Sequence, residues 1–211
     1  LTSGGAGVAP TFQTAAGGAT DIDGLSDGTT SGTNNVGLGS SALGSTTGNN
    51  NTAVGINALR SGGSNTYNNT AIGHDAMYSS TGEQYSTAVG RWTLRAATTG
   101  SSNCAFGHSA LYRSTSSTHN NAFGNDSLIY TLTGSLNSAF GTRSLHYNNT
   151  GGDNSALGAY AGYYNTTGND NTFLGESCFG TSATVSNEFT LGNSAVSNLR
   201  CNDTSISSLS D

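Results

Sequence analysis

Residues able to do catalysis or bind metal are sparse in this chain of 211 residues, and their spacing limits what they can do. Asp153 and Asp170 lie 17 positions apart. If segments of that length stack as strands, the two carboxyls come within about 5 Å, near the separation of a retaining glycosidase pair. Acid–base work also needs a cleft and a perturbed environment, whereas Gly152-Asp153 and Asn169-Asp170 read as solvated or Asx-type turns. His74, His108, His119 and His146 form no His-x-His or His-Glu-x-x-His arrangement. His74 and His108 occupy equivalent positions two segments apart, about 9–10 Å, too far to share one metal ion. Cys104, Cys178 and Cys201 are odd in number and inequivalent in position, so buried free thiols are expected rather than a disulfide framework. Gly37-Leu38-Gly39 lacks the third glycine and the helix of a dinucleotide fingerprint, and no Walker sequence occurs. Neither cofactor nor metal nor catalytic activity is expected.

Aromatic side chains offer a different chemistry. Tyr78, Tyr112 and Tyr163 share one offset within their segments, Tyr130 and Tyr147 share the next, and Trp92 is the single tryptophan. Rings beside Asn- and Thr-rich loops can stack on sugar rings of a glycan. They can equally cover the edge of each segment as amphipathic packing. Sequons at Asn50, Asn68, Asn125, Asn148, Asn165 and Asn202 are no more than an Asn-, Ser- and Thr-rich chain produces by chance.

The elements that must position these residues are repeats. Blocks of the form Asn51-Thr52-Ala53-Val54-Gly55 recur from Asn35 to Gly192, and the ten block glycines are spaced by 16, 18 and then seven times 17 residues. Such a period is the mark of a stacked architecture in which each unit buries its apolar side on the next. With the block glycine as position zero, −1 is always Leu, Val, Ile or Phe, and −2 is Ala in seven of ten copies. A short strand buried on both faces is therefore expected. Position +3 is small and +4 is mostly large and apolar, as in Ala58-Leu59 and Ala76-Met77, which predicts a second short strand after a bend. Glycine at −7 in six copies predicts positive φ and chain reversal there.

Position −4 is Asn in eight copies: Asn35, Asn51, Asn69, Asn103, Asn120, Asn137, Asn154 and Asn171. Stacked at about 4.8 Å, these side chains can form a hydrogen-bonded ladder. Helix is disfavoured by the glycine spacing and by the Ser, Asn and β-branched content. The expected fold is all-β, a parallel β-roll or β-solenoid of about ten 17-residue rungs over residues 34–196. Residues 1–33 read as a Gly/Thr-rich connector and 197–211 as a C-terminal junction.

Only 33% of the chain is hydrophobic, so each rung supplies three or four apolar side chains. At roughly 25 cal/mol per Å² that barely offsets the entropy of ordering the rung. One face is expected to pack within the chain and the other against copies of itself. Twelve acids against six arginines and no lysine give a net charge of −6, which argues against nucleic acid and anionic membrane as partners. No apolar run approaches the roughly 18 residues needed to span a bilayer, so membrane insertion is not expected.

The blocks Asn51-Thr52-Ala53-Val54-Gly55 to Ala58-Leu59 and Asn69-Thr70-Ala71-Ile72-Gly73 to Ala76-Met77 resemble the repeats of phage tail fibres. They are also similar to the head repeats of trimeric autotransporter adhesins, whose usual period of 14 is shorter. The resemblance implies a homotrimeric fibre: a structural and host-attachment segment of an extracellular virion tail fibre. Other tail proteins and a host-surface glycan or protein would be its partners, and a bacterial adhesin head is the alternative. Leu1 to Thr11 looks like a connector common in phage tail proteins. The stretch from Val196 to Ser207-Ser208-Leu209-Ser210-Asp211 resembles the junction before an intramolecular chaperone of the endosialidase type, which implies a processing site at Ser210 and Asp211.

Overall fold

The structure, a computed structural model, describes residues 34–197. The expected connector 1–33, Cys201 and the junction residues Ser210 and Asp211 lie outside the described residues. The blocks before each glycine form ten three-residue strands: β1 (Val36–Leu38), β2 (Thr52–Val54), β3 (Thr70–Ile72), β4 (Thr87–Val89), β5 (Cys104–Phe106), β6 (Asn121–Phe123), β7 (Ser138–Phe140), β8 (Ser155–Leu157), β9 (Thr172–Leu174) and β10 (Phe189–Leu191). They make one parallel sheet in chain order. Equivalent positions pair, so Ala53 faces Ala71 and Val54 faces Ile72. The chain is an all-β solenoid of 17-residue rungs, with no helix among the described residues.

Strand alternation sorts the side chains. Position −2 points inward and is fully buried from Ala53 to Ala139. Positions −1 and −3 point outward. Ile72, Phe140 and Leu157 on that face keep 39%, 41% and 55% of their accessible surface. Within one chain the strand is therefore buried on one face, not two.

The expected second strand is absent among the described residues. Residues at −5, +2 and +4 instead adopt left-handed φ, as in Asn50 (59°), Asn57 (57°) and Leu59 (49°), and a chain so alternated cannot extend. It still stacks: the Leu59 N–H donates to the Ala76 carbonyl at 2.9 Å, and the Leu111 N–H to the Ser127 carbonyl at 3.0 Å. Left-handed φ costs a leucine energy, which complete burial of Leu59, Leu94 and Leu111 offsets.

The block glycine is required twice over. Gly90 has φ 133°, and a Cβ there would lie 2.2 Å from the Gly107 carbonyl oxygen. The described −7 glycines, Gly48 to Gly168, are not at positive φ, contrary to the sequence expectation; that role falls to −5 in every rung. They serve close approach instead, since a Cβ on Gly168 would lie 1.9 Å from the Val185 oxygen.

The Asn column runs through the interior. Asn120 Nδ2 donates to Asn103 Oδ1 at 3.3 Å and to the Gly134 carbonyl at 2.9 Å. Its Oδ1 accepts from the Asn137 N–H at 2.9 Å and from Asn137 Nδ2 at 3.0 Å. Each amide thereby ties its own strand to the turn of the next rung, and its buried polar atoms are satisfied. The column is broken at Ser86 and mended by a residue that the sequence did not single out. Glu83, buried at −7 of the same rung, accepts from Ser86 Oγ at 2.6 Å and from Asn103 Nδ2 at 3.0 Å. The Asn103 N–H meanwhile donates to Ser86 Oγ at 3.0 Å.

Candidate functional site: an edge of arginines and rings

The turn after each block glycine projects positions +1, +2, +5 and +6 along one edge of the stack. Tyr78, Trp92, Tyr112, Tyr130, Tyr147 and Tyr163 all fall there, joined by every described arginine. Arg60 Nη1 donates to the Tyr78 hydroxyl at 2.6 Å, and its guanidinium lies 5.5 Å from the ring centroid. Arg95, one rung beyond Tyr78, lies 4.9 Å from the same centroid and 5.9 Å from that of Tyr112. Tyr112 meets Trp92 at 6.3 Å, Trp92 meets His108 at 5.3 Å, and Arg91 sits 3.8 Å over the indole.

A second run continues from there. Arg113 lies 5.1 Å from the Tyr130 centroid, Tyr130 stacks on Tyr147 at 5.3 Å, and His146 stacks on Tyr163 at 4.9 Å. Tyr147 and Tyr163 meet edge to face at 5.1 Å. Axial neighbours thus occupy many of the ring faces. Hydroxyls, ring edges and guanidinium N–H groups are what the edge offers outward. The sequence signal for Arg60 and Arg95 is the +5 offset they share with Tyr78 and Tyr112, whereas Arg91, Arg113 and Arg143 stand at +1, +6 and +2 and share no column.

Two carboxylates anchor the edge. Asp75 Oδ2 lies 3.4 Å from Arg95 Nε and 3.6 Å from His74 Nδ1, and Oδ1 accepts from Asn57 at 3.0 Å. Burial would push its carboxyl up, but the Asn57 hydrogen bond together with His74 and Arg95 brings it below its ordinary value. Asp126 holds Arg143 at 3.4 Å, and this hydrogen bond raises the Arg143 guanidinium. Burial lowers the His146 imidazole.

Of the other sequence candidates, His74, His108 and His146 belong to this edge, whereas the paired aspartates do not. Asp153 and Asp170 sit exposed at left-handed turn positions, both with φ 57°. His74 and His108 each lie beside an aspartate, and no group of three metal-ligating side chains exists among the described residues. Cys178 is buried and free, while Cys104 is a half-buried free thiol on the outward face of β5. The sequon residues Asn148 and Asn165 are buried, and Asn165 Nδ2 donates to Asn148 Oδ1 at 2.8 Å. No protein-family model, curated protein or solved structure matches the chain.

Proposed function

We propose that the chain is a rod segment of a homotrimeric fibre of the phage tail type, working as shaft and host-attachment surface without catalysis. One observation carries this reading. The outward positions −1 and −3 of all ten strands, from Val36 and Leu38 to Phe189 and Leu191, include no charged residue. Down the middle of this face Phe106, Phe123 and Phe140 stack in parallel at 5.0 and 4.9 Å. Parallel sheets occur almost only with both faces covered, and an apolar strip running along a whole solenoid is a mark of association. Copies of the same chain are the simplest cover, because identical rungs present identical strips in register. The resemblance of the blocks to tail-fibre repeats supports three copies. Each chain's sheet is already paired within itself, so the copies would stand side by side.

Light scattering on the purified chain at low micromolar concentration tests the reading. Three times the chain mass is expected; a folded monomer would overturn it.

A further inference from the structure

The edge carries more positive charge than packing requires. All five described arginines lie on it, in a chain whose net charge is −6. Asp75 and Asp126 neutralise Arg95 and Arg143. Arg60, Arg91 and Arg113 are exposed, and among the described residues no carboxylate lies within ion-pair distance of them.

These three guanidiniums are held in place by Tyr78, Trp92 and Tyr130. A guanidinium lying on a ring, as Arg91 lies on Trp92, keeps its in-plane N–H fork free, and that fork matches the oxygens of a carboxylate or sulfate. Arg60 gives one Nη1 hydrogen to the Tyr78 hydroxyl and keeps its Nε–Nη2 side open. Much of the ordering cost of the side chain is already met before any ligand arrives. The three sit in rungs two, four and five of the stack, a span of about 15 Å. Nucleic acid fits poorly, because its bases need open ring faces and Tyr78 and Trp92 are covered by guanidiniums.

We propose that this edge binds an extended anionic polysaccharide lying along the stack. The Arg60, Arg91 and Arg113 forks take acid groups at intervals of about 10 and 5 Å along it, and the tyrosine hydroxyls take sugar hydroxyls. The proposal deepens the attachment reading by naming its ligand class, and the fibre could stand without it.

The test is titration calorimetry on the full chain at low salt, against polygalacturonate, heparin, dextran and oligothymidylate in parallel. Polygalacturonate or heparin should bind, added salt should weaken binding, and dextran should be silent. The carboxylated and sulfated arms identify the acid group. The triple variant Arg60→Gln, Arg91→Gln, Arg113→Gln should lose roughly ten-fold or more in affinity, with unchanged mass and circular dichroism. Silence toward both polyanions, undiminished binding by the triple variant, or tighter binding of oligothymidylate would overturn the site. Mass recorded on the same samples separates the two claims: a trimer that binds neither polyanion fails the site alone, and a monomer that binds fails the fibre alone.

Discussion

Phe173 fills the space that Gly162 leaves empty. A Cβ on Gly162 would lie 2.6 Å from Phe173 Cδ2 and 2.8 Å from Leu145 Cδ2. Gly162 is the exception among the large +4 residues, and Phe173 is the bulky exception in the alanine column at −2 of the next rung. The two departures are one compensated change, with Phe173 the largest fully buried side chain among the described residues.

That pairing predicts strong coupling. Phe173→Ala should cost about 3–5 kcal/mol as an unfilled cavity, and Gly162→Leu should destabilise by overpacking. The double variant restores the usual pattern and should fall well short of the sum of the singles, by more than about 1 kcal/mol. Urea unfolding of the four proteins at one chain concentration measures the cycle; additivity would break the argument.

The asparagine ladder should be costly to interrupt. Asn120→Ala removes the acceptor of two Asn137 donors and the donor to Gly134. Buried orphans cost about 1–3 kcal/mol each, so a loss above about 3 kcal/mol is expected. Asn125→Ala, on an exposed turn, should change stability by less than about 0.5 kcal/mol. Equal effects from the two variants would remove the ladder's role.

Glu83 should make stability fall as pH rises. Burial raises its carboxyl above the ordinary 4.5, against hydrogen bonds from Ser86, Asn103 and the Gly100 backbone. The folded chain therefore holds that proton more tightly than the unfolded chain. The resulting stabilisation is complete below pH 4.5 and is lost as pH climbs through the raised native value. Glu83→Gln should flatten this part of the melting-temperature profile and raise the melting temperature at pH 8. A variant whose profile tracks the parent chain would refute the assignment.

The uncharged strip yields a third kind of variant. Phe123 lies between Phe106 and Phe140 on the outward face. Phe123→Asp would bring carboxylates together in a dry contact between copies, at a cost of several kcal/mol. Scattering should then report a folded single chain; an unchanged multimer would place the contact elsewhere.

Much of this architecture is legible in the columns of the sequence. The block glycine, the inward alanine and the asparagine at −4 each recur because a rung's neighbours are its own equivalents. The bends that replace a second strand are not legible, because Leu59 and Trp92 are residue types that ordinarily avoid left-handed φ, and only burial and stacking between rungs hold them there. The outward set of −1 was masked by its apolarity, since a residue awaiting another chain reads like one already buried. Glu83 was legible in principle: it breaks the −7 pattern in the same rung where Ser86 breaks the −4 pattern. Two departures in one rung mean little until a hydrogen bond joins them.

Because every rung meets only its neighbours through the same carbonyls and amides, the shaft has a natural currency of inheritance. Seventeen residues can be duplicated or deleted and the remaining rungs close up in register, so length can drift between lineages without redesign of the fold. Two seams resist such exchange. A recombination joint between Glu83 and Ser86 would leave a buried carboxylate without its hydroxyl donor, and one between Gly162 and Phe173 would leave a hole or a clash. These pairs descend together or not at all.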